Sequence, residues 1–149
     1  GISPDFYHTF ISGKRVSIVF EKTYRLLQQS SAALVTSGTA TLETAILKIP
    51  QVVCYKMGGG KIAYNLFKHI LKVKFVSLVN LIADQEIVKE LLVHLFTTEN
   101  VKNELDKILN DPDKRKQMLQ GYAEVAERLG NPGAPQNAAK KIVATIKSL

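Results

Sequence analysis

A short run of hydroxyl-bearing residues, a glycine and a carboxylate contains the residue types best suited to chemistry in this sequence. The run occupies residues 37–43 and reads SGTATLE. The hydroxyl groups of Ser37 and Thr39 can donate hydrogen bonds to a phosphate, and Gly38 lets a ligand approach the backbone closely. Glu43 lies about one helical turn further on, where its carboxylate could accept two hydrogen bonds from a ribose diol. These residue types indicate a site for a phosphate and a sugar; a simple helix cap followed by a solvated glutamate is the alternative.

The elements around this run would place it where α/β proteins bind ligands. Residues 32–36 are apolar and predict a strand, whereas residues 40–48 repeat apolar side chains every three or four positions and predict a helix that closes before Pro50. Ligands of open parallel sheets bind at the carboxyl ends of the strands. A helix N-terminus at that end presents free N–H groups and a partial positive charge, which favour phosphate.

Two further strand ends contribute additional candidates. Tyr55 and Lys56 stand at the end of a predicted strand over 51–55, and Asn80 follows a predicted strand over 74–78. The Asn80 amide can both donate and accept hydrogen bonds, which suits a uracil or a diphosphate in the same cleft. An ordinary turn residue is the alternative interpretation of Asn80.

Strands alternate with helices in the first half of the chain, and helices alone follow. Strands are predicted over 15–20, 32–36, 51–55 and 74–78, and helices over 23–27, 40–48, 62–70, 85–93, 101–109, 112–129 and 138–146. Near-continuous apolar strands separated by helices are typical of a parallel sheet covered on both faces. We therefore predict an α/β fold: a Rossmann-like parallel sheet with helices on both faces and a C-terminal helical segment. It forms a single domain over 1–149, alternating β/α over 1–80 and helical over 81–149.

Composition and charge limit the class of protein. Hydrophobic residues make up 46% and charged residues 22% of the chain, which is typical of a globular domain and not of a disordered one. A single cysteine, Cys54, cannot form an internal disulfide, which suits a reducing cytoplasm. No apolar run is long enough to span a bilayer. The net charge of +7 indicates either an anionic partner or solubility alone.

Other motifs in the chain do not predict a P-loop, a nucleophile or a metal site. Residues 58–61 (GGGK) lack both the earlier glycine and the following hydroxyl residue of a P-loop, and a flexible loop is expected instead. Cys54 lies in an apolar strand without a paired histidine, so a buried and inert thiol is expected. No Cys/His cluster is present, and the histidines are far apart in the sequence: His8, His69 and His94. No metal and no cofactor are predicted.

Four stretches, in the family's order, make the chain similar to the lipid-A-disaccharide synthase family of GT-B glycosyltransferases. Small turn residues, then a glutamate, then a proline before the next strand resemble the donor site of GT-B enzymes that use UDP-sugars. The matching stretches are residues 33–43 (ALVTSGTATLE), 50–56 (PQVVCYK), 75–84 (FVSLVNLIAD) and 133–139 (GAPQNAA). Together they extend from about residue 32 to the end of the chain.

The resemblance implies the C-terminal, donor-binding half of the GT-B fold. The family transfers diacylglucosamine from UDP to a diacylglucosamine 1-phosphate, forming the disaccharide precursor of lipid A. By this resemblance Glu43 would hold the ribose, and Ser37, Gly38 and Thr39 would lie beside the diphosphate. The helix N-terminus with its hydroxyl donors would then stabilise the negative charge that grows on the UDP leaving group, without an essential metal.

Two departures from the family pattern affect what can be carried over. Val79 stands where the family often has proline, and no glycine-and-arginine phosphate loop precedes residue 37. The acceptor-binding half, which would hold the catalytic base and the acylated glucosamine 1-phosphate, is absent from this sequence. No catalytic residue is therefore assigned in the fragment, and the isolated chain is expected not to turn over.

Several alternatives remain open at this point. Another UDP-sugar enzyme of the same architecture, such as a peptidoglycan-precursor glycosyltransferase or a UDP-sugar 2-epimerase, would keep the same donor residues. The basic segment 61–74 could be an amphipathic helix that touches an anionic membrane, or an ordinary surface helix with its lysines in water. Nucleic-acid binding is not predicted, because aromatic residues are not interleaved with the basic ones. The expected location is cytoplasmic, with peripheral contact at the inner membrane.

Overall fold

The computed structural model describes residues 3–36, 38–56, 74–130 and 133–147. These residues form three strands and seven α-helices, with a short 3₁₀ turn over Val93–Leu95. In chain order the elements are α1 (Pro4–Ile11), α2 (Thr23–Gln28), β1 (Ala33–Val35), α3 (Thr39–Ile46), β2 (Gln51–Tyr55), α4 (Leu78–Ala83), β3 (Lys89–Leu92), α5 (Thr98–Asn110), α6 (Pro112–Leu129) and α7 (Ala134–Lys147).

The three strands form one parallel sheet in the order β1-β2-β3. The central strand β2 is buried along four of its five residues, as expected for an apolar strand that has neighbours on both sides and helices against its faces. Helix α3 contacts β1 and β2, whereas α5 contacts β2 and β3. The predicted α/β fold with a parallel sheet is therefore confirmed.

The longest helix, α6, follows its sequence signals closely. Asp111 occupies the N-cap, and its Oδ1 accepts hydrogen bonds from the backbone N–H groups of Asp113 and Lys114 at 2.9 and 3.0 Å. Pro112 takes the first helical position, where a missing N–H group costs nothing. Gly130 ends the helix with a φ of 76°, a conformation in which only glycine is free of strain.

One contiguous core joins the sheet to the helices around it. Helix α6 packs against α3, α4 and α5. The buried apolar side chains of this core are Ala45, Val52, Val53, Cys54, Val79, Ala83, Val88, Leu91, Ile108, Met118, Tyr122 and Val125.

Two of the predicted strands are wrong. Residues 15–20 form no strand, and Val16 and Phe20 are 56% and 47% exposed. Residues 74–77 form no strand and lead through bends into α4 at Leu78. A β-branched run forms a strand only if a neighbouring strand takes up its backbone hydrogen bonds, and neither segment has such a neighbour within the described part of the chain.

The helix predicted over 85–93 is also wrong, because β3 occupies Lys89–Leu92. The region after residue 80 is therefore not helical throughout. Asp84, the residue before that predicted helix, ends α4 in the left-handed conformation with a φ of 54°, which aspartate tolerates better than most residues. Residues 89–92 form a strand because they pair with β2. The spacing of apolar residues along the sequence does not reveal such a pairing. The loop at 58–60 and the helix predicted over 62–70 lie outside the described residues.

Candidate functional site

The candidate site lies at the carboxyl edge of the parallel sheet, where β1 and β2 end. The register pairs Val35, the last residue of β1, with Val53, and β2 continues two residues further to Tyr55. Gly38 follows Val35 by three positions, as Lys56 follows Val53. The segments that leave these two strands therefore emerge side by side at the edge where ligands of parallel sheets bind.

Gly38 forms the turn that leads from β1 into helix α3. It occupies the N-cap of α3 with a φ of 73° and a ψ of −155°, a conformation that side-chain-bearing residues rarely adopt. Because glycine has no side chain, it cannot cap the first amides of the helix in the way that serine or aspartate would. Gly38 and Thr39 are both exposed. The first turn of α3 can therefore offer backbone N–H groups to an anion.

Thr39 and Glu43 lie one helical turn apart on the same face of α3. The opposite face carries the buried residues Thr41, Thr44 and Ala45, which pack toward the sheet and α6. Glu43 is partly buried, and its carboxylate makes no ion pair within the described residues. A hydroxyl and a carboxylate thus stand together on the outward face of the helix whose N-terminus is uncapped.

Buried polar contacts fix α3 against the rest of the fold. The Gln51 side chain, fully buried at the start of β2, donates to the backbone oxygen of Thr41 at 2.8 Å and to the Tyr122 hydroxyl at 3.2 Å. Tyr122 in turn donates to the backbone oxygen of Ile49 at 3.2 Å. Burial raises the pKa of Tyr122 well above its usual range, with the hydrogen bonds from Gln51 acting in the opposite direction. Helix α3 is therefore held by groups from β2 and α6.

The other predicted site residues are divided between the edge and the interior. Tyr55 is partly buried and Lys56 is exposed, and both stand at the carboxyl end of β2 as expected. Ser37 lies outside the described residues. Cys54 is buried, and burial raises the pKa of its thiol, as expected for a thiol with a packing role.

The strand end predicted before Asn80 is wrong, whereas its donor contact stays a prediction. Asn80 lies in α4 and not after a strand, and its side chain is fully buried. Its Nδ2 donates to the Val88 oxygen at 2.8 Å and to Glu90 Oε1 at 2.9 Å. Its Oδ1 accepts from the N–H groups of Ile87 and Val88 at 2.8 and 3.0 Å. These bonds satisfy both ends of the amide, so Asn80 ties α4 to the segment before β3.

Sequence reasoning missed Glu90, which is a buried acid in the middle of β3. Its carboxylate accepts hydrogen bonds from the Val76 N–H group at 3.0 Å and from the Ser77 N–H and hydroxyl groups at 2.9 and 2.7 Å. The bond from Asn80 adds a fourth donor. The burial of Glu90 was missed because β3 was not predicted. A helix over 85–93 would place this glutamate on a solvated face.

A cavity of about 470 Å³ lies at the opposite end of the sheet, between the start of β3, α5 and α6. Four of its charged side chains form ion pairs, Lys89 with Glu86 at 3.1 Å and Lys107 with Glu104 at 2.7 Å. The other two bond neutral amides, Lys114 to Gln117 and Glu124 to Gln85. Ligands of open parallel sheets bind at the carboxyl ends of the strands and not at this end. The cavity therefore does not compete with the carboxyl edge as the candidate site.

Within the described residues, no group of three or more His, Cys, Asp or Glu side chains could hold a metal ion. Among the helices of the described ranges, none is both long and apolar enough to cross a membrane.

Comparison with known proteins identifies a family over nearly the whole chain. The family model described as lipid-A-disaccharide synthetase matches residues 9–144. A lipid-A-disaccharide synthase of Myxococcus xanthus is 38% identical over 132 residues, which is 89% of this chain and 34% of that protein. The enzyme of the same name from Syntrophus aciditrophicus is 34% identical over the same lengths. That of Solibacter usitatus is 33% identical over 92% of this chain and 36% of its own length. The chain thus spans about a third of the length of the curated relatives it matches.

Proposed function

The chain belongs to the lipid-A-disaccharide synthetase family, and on that premise we propose that it forms the donor-binding part of a hexosyltransferase. The donor would be UDP-diacylglucosamine, and the acceptor would be a diacylglucosamine 1-phosphate. The observation that carries the proposal is the uncapped N-terminus of α3, which Gly38 leaves open at the carboxyl edge of the sheet. A nucleotide diphosphate is the ligand that such an edge suits best.

Each residue at the edge has a proposed contribution. The backbone N–H groups at the start of α3, with the hydroxyl groups of Thr39 and Ser37, would donate to the diphosphate. The Glu43 carboxylate, one turn along the same face, would accept from the ribose hydroxyls. Tyr55 and Lys56 would border the nucleotide from the end of β2. The donor contact predicted for Asn80 stays a prediction that its buried position does not support.

The chemistry that follows concerns the leaving group. Cleavage of the sugar–phosphate bond places negative charge on the UDP diphosphate. Fixed N–H dipoles that point at this position would stabilise the charge in the transition state without reorganising. The acceptor and the catalytic base would come from parts of the enzyme that this sequence does not include, so the chain alone would bind the donor without transferring its sugar.

Titration with UDP, followed by amide chemical shifts, tests the proposal. Saturable shifts are expected at Gly38, Thr39 and the first turn of α3, and Glu43→Ala should weaken binding by about tenfold, because a charged acceptor of two ribose hydroxyls is lost. Glu99→Ala is the matched control, since Glu99 lies in the first turn of α5, another helix. The same preparation, given donor and acceptor, should form no disaccharide.

The outcomes separate the competing functions. Saturable binding that Glu43→Ala weakens and Glu99→Ala leaves intact supports the donor site. A folded chain that shows no shifts with UDP contradicts it. Another UDP-sugar enzyme of this architecture would give the same UDP result, so the full-length protein would be assayed with several UDP-sugars. Disaccharide formation by the isolated chain would contradict the assignment of the base to the missing part.

Location and membrane contact belong to the same proposal. We place the enzyme in the cytoplasm, peripherally at the inner membrane, because its proposed substrates are acylated and the chain carries a net charge of +7. The segment proposed for this contact, residues 61–74, lies outside the described residues except for Lys74. Nucleic acid is not a proposed partner.

A further inference from the structure

Glu90 is a buried acid that the proposed donor chemistry does not use. It lies in β3, and the four hydrogen-bond donors that it meets among the described residues are neutral groups of the segment 76–80. We propose that Glu90 is a positioning residue for the donor site, because it holds the Val76–Asn80 turn and thereby fixes α4 against α3. This inference rests on the proposed function.

The sheet register places Glu90 near the candidate site. Val35, Val53 and Glu90 are paired across the three strands, so their side chains project from the same face of the sheet. Val35 is the last residue of β1, three positions before Gly38. The turn that Glu90 binds therefore stands on the same face and near the same edge as the start of α3.

Helix α4 is anchored at two points, one in β3 and one in the segment that leads into β3. At its start, Ser77 is the N-cap, and both its N–H group and its hydroxyl donate to Glu90. Within the helix, the Asn80 side chain bonds the backbone of Ile87 and Val88. Two anchors fix both the position and the direction of a short helix. Because α4 contacts α3 directly, a displacement of α4 would also displace α3, the helix that carries Thr39 and Glu43.

The carboxylate is the group that this turn requires. Its two oxygens only accept hydrogen bonds, and the turn presents backbone N–H groups, a hydroxyl and an amide, all acting as donors. A glutamine has nearly the same shape but carries an NH₂ group in place of one oxygen. That NH₂ group would meet donors, so the turn would have to move or lose hydrogen bonds. The Glu90→Gln variant therefore tests whether the carboxylate sets the position of the turn, and it opens no cavity in the core.

The test measures UDP affinity and amide shifts in the full chain with Glu90→Gln and two controls. Glu86→Gln changes an exposed carboxylate in the segment that leads into β3. Ile108→Val deletes one methyl group from the core on α5 and lowers stability without touching the turn. We expect Glu90→Gln to weaken UDP binding by about tenfold and to shift the amides of Gly38 and Thr39 before UDP is added. Both controls should leave affinity and those amides unchanged.

Each result has a defined meaning. A folded Glu90→Gln chain with unchanged UDP affinity and unchanged α3 amides overturns the inference and leaves the donor site standing. An equal loss of affinity in Ile108→Val also overturns it, since stability alone would then explain the effect. If the unmodified chain does not bind UDP, the proposed function fails, and the α3 amide shifts alone decide whether Glu90 positions the helix.

A second variant covers failure to fold. Ser77→Ala removes the 2.7 Å hydroxyl bond to Glu90 and the 3.3 Å N-cap bond that the hydroxyl accepts from the Asn80 N–H group, and it keeps the carboxylate and its backbone bonds. If Glu90→Gln does not fold, Ser77→Ala should still weaken UDP binding by about threefold and shift the Gly38 amide. Unchanged affinity and unchanged shifts in folded Ser77→Ala would overturn the inference.

Discussion

At the scale of single residues, polar groups inside the core fix the site helix. Gln51 is fully buried, and its Nε2 bonds both Thr41 and Tyr122, whereas its Oε1 accepts no hydrogen bond from the part of the chain that the structure describes. An unpaired buried oxygen costs about 1–3 kcal/mol, so this part of the core is less stable than its packing alone would allow. The same amide ties α3, β2 and α6 together. The buried amide therefore lowers stability but fixes the position of α3.

Removal of the Tyr122 hydroxyl should change both stability and its dependence on pH. Tyr122→Phe deletes two hydrogen bonds and should lower the free energy of unfolding by about 1–2 kcal/mol at neutral pH. Burial raises the pKa of Tyr122 in the folded state above the usual 10.0. Above pH 10 the unfolded chain therefore loses a proton that the folded chain keeps, and stability falls as the pH rises.

Urea unfolding of both proteins between pH 7 and pH 11 measures this effect. The difference in stability between wild type and Tyr122→Phe should shrink above pH 10, since the variant lacks the titrating group and the other tyrosines and lysines are common to both. A difference that stays constant across this range would contradict a buried, neutral Tyr122.

At the scale of elements, a glycine lets α6 pack closely against the segment before β3. Gly121 is buried in the middle of α6, and an added Cβ would lie 2.7–2.8 Å from three side-chain carbons of Ile87. The backbone of Ile87 is held in place, because its N–H group donates to Asn80 Oδ1 at 2.8 Å. The absence of a side chain at Gly121 therefore allows α6 to pack over the segment before β3, to which Asn80 is bonded.

Gly121→Ala should destabilise the fold although alanine is the better helix former. Alanine gains about 1 kcal/mol of helix propensity, but the overlap with Ile87 should cost about 1–3 kcal/mol, so a net loss is expected. Ile87→Ala removes the obstructing carbons, and in that background Gly121→Ala should become neutral or stabilising. Thermal unfolding of the two single variants and the double variant measures the coupling. Additive effects in this cycle would mean that the contact does not limit the packing.

At the scale of the whole molecule, positive charge and exposed apolar faces occur together. The chain carries a net charge of +7. Helix α7 exposes Ile142 and Ile146 to 59% and 66% beside Lys140 and Lys141. The basic segment 61–74 has a similar mixture of lysines and apolar residues. Either region could contact an anionic lipid surface, and the proposed function assigns the contact to 61–74.

Flotation with vesicles that contain anionic lipid distinguishes the two regions. At low salt the chain should float with such vesicles and not with neutral ones, because lysines near an anionic surface each contribute about 1 kcal/mol. Lys68→Gln with Lys72→Gln should reduce flotation severalfold, and Lys140→Gln with Lys141→Gln should not. No flotation at low salt would contradict membrane contact, and loss only in the second pair would move the contact to α7.

Features with a local cause could be predicted from the sequence. Asp111, Pro112 and Gly130 predict the bounds of α6, because caps act through backbone groups only a few residues away. The apolar run 51–55 predicts β2 with its bounds. The SGTATLE run places Gly38 at the start of a helix at a strand end, and residues 37–43 also carry the family resemblance that the comparisons confirm.

Features that depend on a distant partner were decided only by the tertiary structure. Residues 15–20 and 74–78 have strand-like composition but pair with no strand of the described ranges, whereas Lys89–Leu92, with helical periodicity, pairs with β2. That pairing buries Glu90 and turns Asn80 inward, away from the edge at which it was expected. Hydrogen bonds between residues eight to fourteen positions apart, from Asn80 to Val88 and from Val76 to Glu90, hold this arrangement. No local propensity encodes such a pairing, because its free energy is gained only when the sheet, the turn and α4 come together.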